Sequence, residues 1–291
     1  MLCRALVKSL VITVVVDDRV CYGCSTLAVH GLSIHVNADG HHLLLDVGPR
    51  FDVLRLNAEK LGLDLKRVKA VVLSHGHYDH VDALPQLLEL ADPVVVAHPR
   101  ALKQQYIVSS EGLRYVGPSR HVLDAVKRAR ILLSREPVEI APRIWFLGEI
   151  PRRYPWSAPW RSYVVEEGEA KVHMFEDDSG IAVHVEGYGV VVIAGCSHSG
   201  VHNIVHRAAQ VVGERVRMFV GGPHLIGYDP RLYEDVARTL RDLGLETVVA
   251  CHCIEFEALK RLSEVLDVRY GCCGAVIEIG GDGRVEFRCA C

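Results

Sequence analysis

The sequence predicts an α/β fold, a single domain over residues 1–291 built on a mixed sheet. Three observations predict it. Short β-branched runs recur, and four of them are followed by amphipathic stretches of helical period. Two further runs are joined by Asp39-Gly40, a hairpin turn signal that adds antiparallel strands. No period of 20 to 50 residues and no low-complexity tract appears, so repeat and disordered architectures drop out. With 49% hydrophobic residues in a chain of 291, a large core is available.

The apolar stretch 7–16 comes first. It is shorter than the roughly 20 residues a membrane span needs, and Asp17 and Asp18 end it, so it reads as a buried strand. Arg4 precedes it and Lys8 stands at its start, as in a signal peptide, but no small-residue cleavage site follows before the carboxylates, and a cytoplasmic protein is expected. Residues 32–37 and 41–45 form the hairpin. The strand–helix pairs are then 68–73 with 82–90, 190–194 with 201–212, 216–220 with 230–243, and 247–250 with 255–266. From about 100 to 161 the rhythm breaks. That segment holds Pro118, Pro137, Pro142, Pro151, Pro155 and Pro159 with all three tryptophans, Trp145, Trp156 and Trp160, and it reads as an insertion over the functional site.

Charge and cysteine use narrow the function classes. The 33 basic and 36 acidic residues leave a net charge of -3, so no global field favours nucleic acid or an anionic membrane, and neither is expected as a partner. Ten cysteines, crowded at Cys251 and Cys253, Cys272 and Cys273, Cys289 and Cys291, read as thiols or metal ligands rather than a disulfide framework. No CxxC pair is followed by a second, and adjacent Cys272-Cys273 suits one tetrahedral ion poorly, which argues against an iron–sulfur or extra zinc centre. Asn occurs only at 37, 57 and 203, and Gln and Met are sparse, as in heat-adapted proteins. Cytosolic disulfides occur in such organisms, so a Cys21–Cys24 pairing stays open.

The chemistry concentrates in Leu73-Ser74-His75-Gly76-His77-Tyr78-Asp79-His80, where a strand runs into a loop carrying three imidazoles and a carboxylate within six residues. Burying so many polar groups unpaired would cost several kcal/mol. Imidazole and carboxylate are donors that zinc, iron and manganese all accept, and a metal site is the direct reading.

This run matches the HxHxDH signature, and by it the chain resembles the metallo-β-lactamase superfamily. The resemblance implies an αββα four-layer sandwich and two divalent metal ions, zinc first, with iron or manganese as alternatives. Asp46 stands where that superfamily places a strand-end Asp supporting the ligands. Carried over residue by residue, His75, His77 and His198 would form one site, and Asp79, His80 and His252 the other. The superfamily often bridges its metals with an Asp at a strand end, a place held here by Cys196; a thiolate ligand and a small buried strand-end Cys are both open readings. Oxygen-reducing di-iron relatives carry Glu where this chain has His77, which points away from redox chemistry. Such metal pairs lower the pKa of bound water and stabilise oxyanions, with Asp79 at the reacting centre.

Further segments resemble one branch: Gly31-Leu32-Ser33, residues 57–62, Gly148-Glu149-Ile150-Pro151-Arg152, Gly195-Cys196-Ser197-His198-Ser199-Gly200 with Asn203, and Gly221-Gly222-Pro223-His224-Leu225. These look like the 7,8-dihydropterin-6-ylmethyl-4-(β-D-ribofuranosyl)aminobenzene 5′-phosphate synthases of methanopterin-type cofactor biosynthesis. The implied reaction is a transfer, in which a dihydropterin methyl diphosphate loses diphosphate and its methylene is captured by a ribofuranosylaminobenzene phosphate. The chain departs from that branch at Val81-Asp82-Ala83 and Ile254-Glu255, both beside the expected metals. A metallohydrolase of a phosphodiester, lactone or thioester is the alternative, and a non-catalytic metal sensor a third reading.

The expected substrate is a small phosphorylated heterocycle. The Arg- and aromatic-rich insertion suits phosphate forks and stacking, with Arg152 and Trp156 as expected contacts; a subunit interface in a homo-oligomer would use the same residue types. His224, after two glycines and a proline, is expected to act on substrate as acid, base or phosphate donor. His173, His184, His202 and His206 receive no role.

Overall fold

The computed structural model describes residues 5–156 and 161–290. Apolar side chains on both faces of the central strands dictate the layering. In Ser9–Val16, Leu10, Ile12 and Val14 point into one apolar cluster, while Val15 and Val16 join another. Strands buried on both faces must be covered on both.

Two large sheets result. In the first, the strands run in the order Val285–Cys289, Ala275–Gly280, Ser9–Val16, Ser33–Ala38, His41–Leu45, Ala70–Val72, Val94–Ala97 and Ile131–Leu133. It is antiparallel up to His41–Leu45 and parallel from there on. The second runs Asp267–Tyr270, Thr247–Ala250, Val216–Gly221, Gly189–Ala194, Gly180–Val185, Ile144–Phe146 and Val138–Ala141, with its first four strands parallel. The mixed sheet expected from sequence is thus a pair of mixed sheets. Asp39 and Gly40 turn the hairpin with φ of 50° and 85°, the left-handed pair that a two-residue turn of this kind requires.

Between the sheets lies a core of Ile12, Ile34, Leu45, Val72, Ile193, Val220 and their neighbours. Helices cover each outer face. Phe51–Lys60 and Leu84–Ala91 pack Leu54, Ala58, Leu84 and Leu87 against Val71, Leu73 and Val95. On the other side Val201–Val212 and Pro230–Asp242 each bury residues at i, i+3, i+4 and i+7: Val201, Ile204, Val205 and Ala208, then Tyr233, Val236, Ala237 and Leu240. Pro230 starts its helix with Asp229 capping the Arg231 N–H, and Gly213, at φ 75°, ends the other. The order is helix, sheet, sheet, helix, the αββα sandwich expected.

Residues 100–161 are not one inserted body. Ile131–Leu133 extends the first sheet, and Val138–Ala141 and Ile144–Phe146 extend the second. What stands apart is a small antiparallel sheet that pairs Gln104–Ser109 and Gly112–Tyr115 with Ser162–Glu166 and Glu169–Val172. Trp160 and Pro159 lie outside the described residues. Cys21 does not pair with Cys24: it forms a disulfide with Cys272, with Cα atoms 5.2 Å apart, and so ties the segment after the first strand to the turn before Ala275–Gly280. Among the described residues, no helix is long and apolar enough to cross a membrane.

Candidate metal centre

The parallel strands of both sheets end at one edge of the sandwich, the place where open α/β sheets bind ligands. From the first sheet, Ala70–Val72 runs into Ser74 and His75, and His77 opens the short helix Tyr78–Val81 that carries Asp79 and His80. From the second, Gly189–Ala194 runs into Cys196 and His198, Val216–Gly221 into His224, and Thr247–Ala250 into His252. Asp46, His224 and His252 hold left-handed backbone, with φ of 56°, 51° and 49°. Such backbone costs of order 1–3 kcal/mol and gathers at functional sites.

His75, His77 and His198 form a triangle of rings with centroids 4.5 to 4.8 Å apart. Beside it, Asp79 Oδ2 lies 3.6 Å from His80 Nε2 and 3.4 Å from His252 Nε2. The Cys196 sulfur sits between these groups: its Sγ is 3.2 Å from His80 Nε2, and it lies within 4.8 Å of donor atoms of His75 and His198, of His80 and His252, and of His224 and Cys253. Sequence left Cys196 between ligand and bland strand-end residue; its position is the central one.

Hydrogen bonds fix how these rings face. The Asp46 carboxylate accepts from the Ser74 N–H at 2.7 Å, from Ser74 Oγ at 2.6 Å and from His80 Nδ1 at 2.7 Å. Because the Ser74 hydroxyl proton goes to Asp46, its oxygen accepts from His75 Nδ1, 2.9 Å away. Both rings therefore carry their proton on Nδ1 and turn the Nε2 lone pair to the site, the arrangement that outer carboxylates impose on metal-binding His. Gly195 permits this, since a Cβ there would stand 2.0 Å from Ser74 Oγ. His252 is also fixed, with Nδ1 2.9 Å from Asp18 Oδ1 and its backbone N–H donating to Asp17 at 2.7 Å; against burial, Asp18 and Asp79 push its pKa well above the usual histidine range.

The donor set fits cations. His75 Nε2 and His77 Nε2 are buried without a hydrogen-bond partner, a state that costs about 1–3 kcal/mol per group unless something takes the lone pair. Burial, then His80 and His77, pushes His75 well below the usual histidine range, and burial pushes His77 down to about 4, so both are neutral donors at pH 7. Asp79 stays ionised: burial alone would raise it, but His80, His252 and His77 hold it well below the usual carboxylate range.

A cavity of about 210 Å³ opens above these groups, lined by Asp79, Cys196, His198, His224 and His252 together with Tyr78, Ile107, Arg114 and Val116. Phe175 stacks on His198, with ring centroids 4.4 Å apart and planes 13° from parallel.

The family profile described as the metallo-beta-lactamase superfamily matches residues 28–106. A solved structure described as a metal-dependent hydrolase of the beta-lactamase superfamily is 32% identical, superposes with a TM-score of 0.81, and covers 93% of this chain and 99% of its own. The chain belongs to the metallo-β-lactamase superfamily. The 7,8-dihydropterin-6-methyl-4-(beta-D-ribofuranosyl)-aminobenzene-5'-phosphate synthase of Methanocaldococcus jannaschii is 26% identical over 87% of this chain and 90% of its own length. A ribonuclease Z of Treponema pallidum is 29% identical over 41% of this chain and 36% of its own. This member of the superfamily is a metal-dependent enzyme, and its His, Asp and Cys clusters supply the donors that divalent ions need.

Other expected contacts fall elsewhere. Arg152 donates to the carbonyls of Trp156, at 2.8 Å, and Met174, and it does not line the cavity. Trp156 is 8% exposed and packs on His202 and Tyr228 against the helical layer, with Gly200 beneath it. Both hold the loop in place. The cavity arginine is Arg114, on the small sheet. The sequence also gave no roles to Asp177, which accepts from the Gly76 N–H at 3.0 Å and sits 2.9 Å from His173, or to Asp18, Ser74 and His30. Asp177, Asp18 and His30 stand far along the chain from the motif and make no pattern with it, and the hydroxyl of Ser74, though adjacent, is no metal ligand by type.

Proposed function

We propose that this enzyme joins a dihydropterin methyl diphosphate to a ribofuranosylaminobenzene phosphate. The observation that carries the reading is one cavity whose wall combines imidazole, carboxylate and thiol donors with a single guanidinium, Arg114, and apolar Ile107 and Val116. That arrangement suits a substrate with a multiply charged phosphate end and a flat apolar end. A relative 26% identical over 87% of this chain bears the name of this synthase.

His75, His77 and His198 would hold one divalent cation, Asp79, His80 and His252 a second, and Cys196 would lie between them. Zinc suits the mixture of imidazole, carboxylate and thiolate. When bound, the cations neutralise charge on phosphate oxygens. In the condensation, the carbon–oxygen bond from the methylene to diphosphate breaks and diphosphate leaves with the electron pair; the arylamine nitrogen takes the carbon and gives up one proton. Arg114 would fork the phosphate end, while His224, with its ring 4.3 Å from His198, orients the reacting end.

The test is to supply both substrates to zinc-loaded protein and follow diphosphate release together with product mass. Condensation matched one to one by diphosphate is expected. Silence in that assay with rapid turnover of a phosphodiester, lactone or thioester would replace the reading with hydrolysis, the activity named for the 32%-identical structure.

A further inference from the structure

We propose that His30 is a third imidazole ligand of the cation site formed by Asp79, His80 and His252. The proposal rests on the reading that those three hold a cation.

Three Nε2 atoms surround one oxygen. From Asp79 Oδ2 the separations are 3.4 Å to His252, 3.5 Å to His30 and 3.6 Å to His80. These are long for N–H···O bonds, which cluster near 2.9–3.0 Å. Donor atoms on a tetrahedral ion with bonds of about 2.0–2.1 Å stand about 3.4 Å apart, close to the distance of each of these nitrogens from Asp79 Oδ2.

The ring orientations agree. One carboxylate, Asp18, serves both outer imidazoles: Oδ1 is 2.9 Å from His252 Nδ1, and Oδ2 is 3.4 Å from His30 Nδ1. With Asp18 beside both Nδ1 atoms, the two rings turn their Nε2 atoms toward Asp79. The rings lie 5.0 Å apart, centroid to centroid.

The backbone is built for close approach. Gly31 holds φ 143° and donates its N–H to Asp18 Oδ1 at 3.0 Å; a Cβ there would stand 2.2 Å from the Asp79 carbonyl oxygen. Leu32 N–H points to that same carbonyl at 3.4 Å. The His30-Gly31 pair is thereby pressed onto the residue whose carboxylate it faces. His30 is also the most solvent-exposed of the four side chains, at 63%, and stands on the cavity wall. Leaving aside Cys196, which lies between the two, the Asp79 site would then have four protein donors where the His75 triangle has three, which makes the two sites unequal.

The experiment is a zinc titration against a chromophoric chelator, with cobalt(II) absorption spectra, on the wild type, His30→Ala, His30→Gln and His80→Ala. Expected are two equivalents in the wild type; a loss of at least tenfold in affinity for one equivalent in both His30 variants, with the other unchanged; and an altered cobalt visible band for that equivalent alone. Glutamine can still hydrogen-bond Asp18, so wild-type affinity in His30→Gln would overturn the ligand role and leave only a hydrogen-bonding one. Unchanged titration and spectra in both His30 variants, with one equivalent lost in His80→Ala, would overturn the proposal alone. Two full equivalents in His80→Ala would overturn the reading of the site, and the proposal with it.

Discussion

At the scale of the residue, Asp46 is the hinge of the site. Fully buried, it takes three hydrogen bonds and so sets the tautomers of His80 and, through Ser74, of His75. Asp46→Asn places an amide donor where two of these donors point. Zinc affinity should fall about 10–100-fold, the usual cost of losing such an outer partner, as chelator competition would show. Arg114 and Arg152 part company for a similar reason of placement. Arg114→Ala should lower kcat/KM at least tenfold with an unchanged Tm, because the side chain lies on the cavity wall. Arg152→Ala should lower Tm instead, since this guanidinium ties Trp156 to Met174. Reversal of that pattern would return Arg152 to the substrate. The HxHxDH run was legible because its donors are contiguous; Arg114 was not, since its role depends on a strand pairing that its neighbours do not announce.

At the scale of the element, the segment around 173–178 buttresses the loop that carries His75 and His77. His173 meets Asp177 at 2.9 Å and Glu176 at 3.1 Å, and these carboxylates, acting against burial, push it up to about 9. A histidine that holds its proton more tightly folded than unfolded stabilises the fold fully below about pH 6.5 and loses that contribution as pH rises toward 9. Denaturant midpoints should therefore decline across pH 6.5–9 in the wild type, and the decline should flatten in His173→Gln. The same slope in both proteins would remove His173 as its source. Helices with apolar residues at i, i+3, i+4 and i+7, such as Val201–Val212, were legible, and so was the hairpin with its Asp-Gly turn. Ile131–Leu133, Val138–Ala141 and Ile144–Phe146 were not. They are three- and four-residue strands, the first two exposed or half-buried at sheet edges and flanked by Pro137 and Pro142, so all three carry too little pattern to stand out from the loops around them.

At the scale of the whole molecule, the disulfide and the site both join distant parts of the chain. Cys21–Cys272 closes a loop of 251 residues, and such long closures restrict the unfolded chain most. Cys21→Ser with Cys272→Ser should reduce unfolding free energy by about 2–5 kcal/mol, measured by guanidinium titration, and an unchanged midpoint would remove this bridge as a source of stability. Sequence spacing suggested the neighbour Cys24 because nothing local reveals that the first strand and the turn before Ala275–Gly280 end side by side. The proposed donors divide in the same way: His30 and the four of the 75–80 run arrive by residue 80, the others at 196, 198 and 252. A ribosome that has made half of this protein has therefore displayed His75, His77, Asp79 and His80 without the residues that would complete either cluster. Firm capture of a cation belongs to the last moments of synthesis or after release, and a stalled nascent chain should surrender its zinc to a chelator that the finished enzyme resists.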